Sequence, residues 1–177
     1  MKPNILAICG STKQSSINLS LIKAIADLTA AEFNLSIFNS IESIPHFNPD
    51  KDNDSPPPEV SGFRNRIKNS DGVLICTPEY AMGVPGTLKN AIDWTVSSGE
   101  FSHKPVALIT ASSQGQKGHA SLLETLRVIE CSIPDETQMV ISFVKTKVSS
   151  DNKIIDPATL ESVKNLMTAF SGKIRKT

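Results

Sequence analysis

The chain alternates short apolar segments with longer segments of helical spacing, and this alternation most limits the folds open to it. An unbroken apolar run of about six residues is typical of a strand that is buried on both faces of a sheet. The predicted strands are residues 4–9, 33–38, 72–77, 105–110 and 137–144. Strands separated by helices are joined in parallel by right-handed crossovers, so the sequence predicts an α/β protein with helices on both faces of one sheet.

The segments between these strands repeat apolar residues every three or four positions, as amphipathic helices do. The predicted helices are residues 18–31, 57 or 58–68, 85–96, 118–131 and 157–171. Five strand–helix units fit a three-layer flavodoxin-like fold, whose five-stranded parallel sheet has the strand order 2-1-3-4-5. The six-stranded order of dinucleotide-binding folds would need one more strand–helix unit. The 177 residues suit one domain, predicted over residues 1–177. Residues 39–56 form an unusually long loop, a candidate for function or for a dimer contact.

Charge and composition exclude several classes of function. The 18 Lys and Arg residues balance the 18 Asp and Glu residues, so no basic field would hold nucleic acid or an anionic membrane. The apolar runs are too short for a membrane span or a signal peptide. Three separated cysteines without a CxxC motif favour free thiols in a reducing cytosol, and the three histidines lack metal-ligand spacing. We therefore predict a cytoplasmic protein without a metal site, a nucleic-acid partner or a membrane partner.

The loop after the first strand has the composition of an anion site. Residues 10–18 read GSTKQSSIN, and they precede a helix whose first N–H groups lack helical partners and whose dipole is positive. Glycine, hydroxyls and a lysine at this place predict a phosphate cradle. The alternative is a serine-rich turn in which Ser15 or Ser16 only caps the helix. Neither the GxxxxGK[ST] motif of P-loop nucleotidases nor the GxGxxG motif of dinucleotide-binding folds occurs here. A phosphatase with Cys9 as its nucleophile would need an arginine at position 15, where this chain has Ser15.

The loop after the third strand carries the most specific motif. Residues 77–94 read TPEYAMGVPGTLKNAIDW, and their prolines and glycines stiffen and turn the chain. This segment resembles the P-E-Y-N-x-x-x-P-G-x-L-K-N-A-I-D-W signature of the NAD(P)H-dependent FMN reductase family. That family has the flavodoxin-like fold and includes chromate reductases, quinone reductases and some azoreductases. Residues 10–18 resemble its G-S-x-R-x-x-S-x-N phosphate loop, and the resemblance covers roughly residues 3–145.

The resemblance implies an FMN site built from three loops. The positions that hold the FMN phosphate are matched by Ser11, Lys13, Ser16 and Asn18, together with the N–H of Ile17. Residues 78–80 match the loop along the isoalloxazine ring, and residues 112–118 resemble a third flavin loop. The implied cofactor-binding residues are Gly10, Ser11, Lys13, Ser16, Ile17, Asn18, Pro78, Glu79, Tyr80, Ala81, Met82, Ser112, Ser113 and Gly115. The helix residues Leu88, Lys89, Asn90, Asp93 and Trp94 match a helix that packs between subunits in family dimers and tetramers.

Two residues depart from the family pattern. Lys13 stands where arginine is usual, so the charge is kept but the planar fork that holds two phosphate oxygens is lost. Ala81 stands where asparagine is usual, so a side-chain amide is missing. The predicted consequence of these departures is a change in FMN affinity, in the order of the loop or in the choice of substrate.

The resemblance implies an enzyme that takes a hydride from NADPH or NADH onto FMN and reduces a small-molecule acceptor. The acceptor could be a free flavin, a quinone, a metal ion or an azo dye. Hydride transfer of this kind needs no proton abstraction by the protein, so no side chain is predicted to be catalytic. A homodimer or homotetramer is also implied. Two alternatives stay open, a non-enzymatic FMN electron carrier and an FMN-free structural relative.

Overall fold

The sheet is parallel throughout and has the strand order expected from the sequence. The computed structural model describes residues 1–38 and 40–176, and within them five strands pair in the order β2-β1-β3-β4-β5. The strands are β1 (Asn4–Cys9), β2 (Asn34–Phe38), β3 (Gly72–Thr77), β4 (Val106–Ala111) and β5 (Gln138–Ile141). The prediction of a five-stranded sheet in the order 2-1-3-4-5 is confirmed.

Helices cover both faces of this sheet. They are α1 (Ile17–Leu28), α2 (Pro58–Lys68), α3 (Gly86–Asp93), α4 (Gln116–Val128) and α5 (Pro157–Ile174). Apolar residues of α1 and α5 pack with one set of strand side chains, and those of α2, α3 and α4 pack with the other set. The strands β1, β3 and β4 are therefore buried on both sides, which is why their sequences are unbroken apolar runs. In the part of the chain that the structure describes, no helix is long and apolar enough to cross a membrane.

The structure corrects the ends of five predicted elements. Four of them end earlier than predicted: α1 at Leu28 rather than near residue 31, α3 at Asp93 rather than 96, α4 at Val128 rather than 131, and β5 at Ile141 rather than 144. The fifth, α5, continues to Ile174 rather than ending near residue 171. β5 ends before Phe143 because this residue has a φ of 54°. That angle lies in the left-handed region, which a strand cannot include. The residues beyond Ile141 therefore leave the sheet and turn across its edge.

The long loop predicted at residues 39–56 is attached to α3. Residue 39 lies outside the described residues, and the remainder contains two short 3₁₀ turns. The Asn90 side chain accepts a hydrogen bond from the Phe47 N–H at 2.7 Å and donates to the Pro45 carbonyl at 3.0 Å. The Trp94 indole also donates to Pro45, at 2.8 Å. Trp94 is fully buried within the chain, so its side chain belongs to the core, and a subunit contact made by this helix stays a prediction.

Candidate functional site

A cleft of about 650 Å³ opens at the carboxyl ends of β1, β3, β4 and β5. This edge of a parallel sheet is where doubly wound folds bind their ligands. Its walls come from the segments that follow these four strands. The residues that line it are Ser11, Lys13, Ser15, Ser16, Ile17, Asn18, Pro78, Glu79, Tyr80, Ala111, Ser112, Ser113, Phe143, Val144, Lys145 and Thr146.

The first wall is the loop between β1 and α1. Ser16 is the N-cap of α1, and its Oγ accepts a hydrogen bond from the Asn18 N–H at 3.2 Å. The Oγ of Ser11 accepts from the Lys13 N–H at 3.3 Å. Asn18 is 2% exposed, and its Nδ2 donates to the Ala111 carbonyl at 3.1 Å. Its Oδ1 is buried without a hydrogen-bond partner, so this side chain has an unused acceptor in the wall of the cleft.

The second wall contains a tight turn after β3. The Tyr80 N–H donates to the Gly83 carbonyl at 2.8 Å, and the Gly83 N–H donates to the Tyr80 carbonyl at 2.9 Å. The two central residues, Ala81 (φ 49°) and Met82 (φ 64°), both have left-handed backbones, as a type I′ turn requires. Asparagine tolerates this region better than alanine. The departure from the family motif at position 81 therefore adds backbone strain to the turn.

Three hydrogen bonds hold the residues before this turn. The Glu79 Oε2 accepts a hydrogen bond from the Gly118 N–H of α4 at 2.6 Å, and the Glu79 carbonyl accepts one from the Ser112 hydroxyl at 3.4 Å. Thr77 Oγ1 donates to the Pro78 carbonyl at 3.1 Å. The turn is thus attached to both β3 and the segment that follows β4.

The third and fourth walls support each other through main-chain hydrogen bonds. The Phe143 N–H donates to the Ser113 carbonyl at 3.0 Å, and the Val144 N–H donates to the Ser112 carbonyl at 3.1 Å. Gly115 caps α4 with a φ of 107°, and a Cβ there would lie 2.9 Å from Val140 Cγ1. The fourth wall was not predicted from the sequence, because residues 142–144 were assigned to the last strand. Doubly wound folds bind ligands beyond the carboxyl ends of their strands. Since residues 143–146 follow β5 at that edge, the same argument could have predicted this wall.

Ten of the fourteen predicted site residues line the cleft. They are Ser11, Lys13, Ser16, Ile17, Asn18, Pro78, Glu79, Tyr80, Ser112 and Ser113. The remaining four are Gly10, Ala81, Met82 and Gly115, which support the walls, and their contact with a ligand stays a prediction. A Cβ at Gly10 would lie 2.4 Å from Thr77 Oγ1, so packing against β3 already requires glycine there.

The side chains of the cleft suit a ligand that carries both an anionic group and hydroxyl groups. Lys13 and the first N–H groups of α1 suit an anionic group, and the free Asn18 Oδ1 suits a hydroxyl donor. Burial raises the pKa of the Cys9 thiol, and a hydrogen bond with the Ser11 backbone lowers it by less, so Cys9 is not a thiolate near neutral pH. Residues 1–38 and 40–176 contain no group of three or more His, Cys, Asp and Glu side chains that could hold a metal ion.

Comparison with known proteins identifies the same family as the sequence motifs, over nearly the whole chain. A family model described as NADPH-dependent FMN reductase matches residues 3–146. The chain is 30% identical over 183 residues to a 2-hydroxy-1,4-benzoquinone reductase from Burkholderia sp, with 99% of this chain and 98% of the relative covered. It is also 30% identical over 183 residues to the quinone reductase of Escherichia coli strain K12, with coverages of 99% and 97%.

A solved structure agrees with this result. FerB from Paracoccus denitrificans, described as a flavoenzyme NAD(P)H:(acceptor) oxidoreductase, superposes with a TM-score of 0.80 at 26% identity, and 98% of each chain is covered. The predicted family, the enzyme class and the dependence on FMN and NAD(P)H are thereby confirmed. The chain belongs to the family of NADPH-dependent FMN reductases and is an NAD(P)H-dependent FMN oxidoreductase with the flavodoxin-like fold.

Proposed function

We propose that the cleft binds FMN with its phosphate at the start of α1 and its ring along residues 78–83. The observation that carries this proposal is the buried, unpartnered Oδ1 of Asn18, which shares the cleft with Lys13 and the first turn of α1. A ligand with an anionic group and hydroxyl donors would satisfy all of these groups together. FMN has its phosphate and its ribityl hydroxyls on one chain, so it fits this set.

Each wall then has a separate role. Lys13, Ser11, Ser16 and the Ile17 N–H would hold the phosphate, whereas residues 78–80 and 112–113 would lie along the ring. Bound FMN would supply the redox chemistry by accepting a hydride from NADPH or NADH and passing electrons to the acceptor. The protein binds and orients, and the backbone N–H groups of the turn favour negative charge on their ligand. No side chain is assigned an essential proton transfer.

A quinone is the acceptor class that we favour. Three large side chains beside the cleft expose apolar surface, namely Tyr80 (55% exposed), Met82 (74%) and Phe143 (65%). Such a rim suits a flat, apolar acceptor better than a hydrated metal ion, whose binding needs charged ligands. Two relatives named as quinone reductases support the same choice.

Titration with two flavins tests the proposed binding mode. The purified protein should bind FMN stoichiometrically, and Lys13→Ala should weaken FMN binding by about 1.5–3 kcal/mol because a charge-assisted hydrogen bond is lost. Riboflavin, which lacks the phosphate, should bind the wild type and this variant almost equally. Lys23→Ala is the matched control, since this exposed lysine of α1 does not line the cleft. A protein that binds no FMN, or a Lys13→Ala variant that loses both flavins equally, would contradict the proposal.

Anaerobic reduction tests the reaction itself. NADPH or NADH should bleach the absorption of the FMN-loaded protein, and a quinone should restore it. Steady-state rates with both substrates should give parallel double-reciprocal plots, because one product leaves before the second substrate binds. If neither nicotinamide cofactor reduces the bound flavin, the electron-carrier alternative would replace the reductase.

We also propose one domain over residues 1–177 that forms a homodimer or homotetramer in the cytoplasm. One sheet organises the two apolar layers, which supports the single domain. Val96 is 58% exposed just after α3, and a partner subunit packed on this helix, as the family resemblance implies, would cover it. The three free cysteines and the balanced charge support a reducing compartment without nucleic-acid or membrane partners. Sedimentation at micromolar concentration should give a mass of at least two chains.

A further inference from the structure

The N-terminus of α4 lacks a capping side chain of its own. Its N-cap residue is Gly115, and no side chain of the N-cap bonds to the first turn. The N–H of Gly118, two residues into the helix, has no helical carbonyl to bond because of its position. Glu79 supplies the missing acceptor from another part of the fold, since its Oε2 lies 2.6 Å from the Gly118 nitrogen. The positive end of the helix dipole adds to the attraction for the carboxylate.

The backbones meet closely at the same place. A Cβ on Gly118 would lie 2.8 Å from the Gly83 carbonyl oxygen and 3.1 Å from Glu79 Cγ. Because no real side chain tolerates the first of these distances, position 118 needs glycine for the turn to lie against α4. The carboxylate and this close contact therefore act on the same segment, residues 79–83.

The segment that they hold is strained. Both Ala81 and Met82 have left-handed backbones, which cost non-glycine residues free energy and persist only where the surroundings impose them. Both side chains are exposed, so packing around them does not impose this conformation. The contacts available to impose it are the anchor at Glu79, the close approach of Gly83 to Gly118 and the paired hydrogen bonds between Tyr80 and Gly83.

We propose that Glu79 is a positioning residue. By capping α4 through the Gly118 N–H, its carboxylate holds the strained turn in the orientation that the flavin ring requires. This inference rests on the proposed binding of FMN, and it gives Glu79 a role different from direct contact with the cofactor. Its effect falls on the ring end of the ligand, whereas that of Lys13 falls on the phosphate end.

Flavin titrations of three variants separate these roles. Glu79→Ala removes the acceptor, Gly118→Ala pushes α4 away from the turn, and Glu79→Gln keeps an oxygen that can accept from Gly118. Glu79→Ala and Gly118→Ala should weaken FMN and riboflavin alike, by on the order of tenfold, because fewer molecules hold the binding-competent turn. Glu79→Gln should stay within about threefold of the wild type, and so should the control Glu124→Ala, which removes an exposed carboxylate of α4.

Coupling and redox measurements distinguish positioning from a general loss of stability. The double variant Glu79→Ala/Gly118→Ala should bind flavin no worse than the weaker single variant, since both act on one contact. The midpoint potential of the bound flavin should move in both single variants and stay near the wild-type value in Glu79→Gln. Should Glu79→Ala fail to fold, Gly118→Ala provides the same titration and potential.

Amide exchange gives a readout that does not depend on flavin. In the ligand-free protein, the Gly118 amide should be protected in the wild type and in Glu79→Gln, and should exchange faster in Glu79→Ala. Unchanged exchange in Glu79→Ala would overturn the proposal, as would unchanged flavin affinity or an equal loss in Glu79→Gln. A wild type that binds no flavin would instead overturn the proposed function together with the positioning role, even if exchange responds as expected.

Discussion

Asn18 joins two walls of the cleft through the carbonyl of Ala111, to which its Nδ2 donates at 3.1 Å. The two residues lie at the start of α1 and the end of β4, so this hydrogen bond connects the first loop to the third. The unpartnered Oδ1 of the same side chain is the acceptor that we propose for the ligand. In that binding mode, one buried amide both fixes the shape of the cleft and takes part in binding.

Asn18→Asp should weaken FMN binding more than riboflavin binding. The new carboxylate cannot donate to the Ala111 carbonyl, and its charge would repel the phosphate that we place at the start of α1. We expect a loss of about 1.5–3 kcal/mol in FMN affinity, measured by titration. Asn165→Asp makes the same change in charge on an exposed position of α5 and should leave both affinities unaltered. A loss of equal size for the two flavins would show that Asn18 is remote from the phosphate.

Ala81→Asn should stabilise the protein. The φ of 49° at this position is unfavourable for alanine, whereas asparagine occupies the left-handed region several times more often. The free energy of unfolding, measured in urea, should rise by about 0.5–1 kcal/mol. Ala81→Val is the opposite control and should lower it, because β-branched residues tolerate this conformation least. If the asparagine variant proved less stable, the turn would not have the left-handed geometry in solution.

Asp52 should make stability depend on pH. Burial acts to raise its pKa, but hydrogen bonds from Ser97 and Arg64 and the charge of Arg64 together lower it below the ordinary 3.8. The Arg64 guanidinium lies 2.6 Å from its carboxylate. A lowered pKa means that this stabilisation is present above the ordinary pKa and is lost as the pH falls through the lowered value.

Urea unfolding from pH 7 to pH 3 tests that effect. Asp52→Asn should cost about 1–3 kcal/mol near pH 7, because the buried guanidinium loses its charged partner. The difference from the wild type should shrink as the pH falls below 3.8. Asp54→Asn, an exposed change in the same loop, should behave as the wild type does. A difference that stays constant over the whole pH range would contradict the assigned titration.

Cys9→Ser should keep FMN binding and turnover. Burial raises the pKa of the Cys9 thiol and sets that of Cys131 at about 12, so neither is a thiolate at pH 7. The serine hydroxyl in a largely apolar position should lower the free energy of unfolding by about 1–2 kcal/mol. Steady-state kinetics of FMN-loaded Cys9→Ser and Cys131→Ser would measure their turnover, and urea unfolding would measure their stability. A total loss of turnover in Cys9→Ser alone, with FMN still bound, would revive a thiolate mechanism.

The sequence by itself determined the strand order and predicted three of the four walls of the cleft. Runs that are apolar at every position occur where a strand is covered on both faces, so residues 4–9 and 72–77 could be placed without knowing their partners. The phosphate loop and the Pro78–Glu79–Tyr80 loop directly follow such runs. Position relative to a strand end predicted these loops, and the family resemblance named the ten of their residues that line one cleft.

Only the tertiary structure decided how these walls are held. The bond from Gly118 to Glu79 joins residues 39 positions apart, and no local pattern records it, because either residue alone is compatible with an ordinary helix or loop. Likewise, Phe143 fits a strand by composition, but bonds from its own N–H and that of Val144 to the Ser113 and Ser112 carbonyls turn it out of the sheet. Local sequence sets which conformations a short segment prefers. Where these conformations differ little in free energy, contacts with distant segments determine which one is adopted.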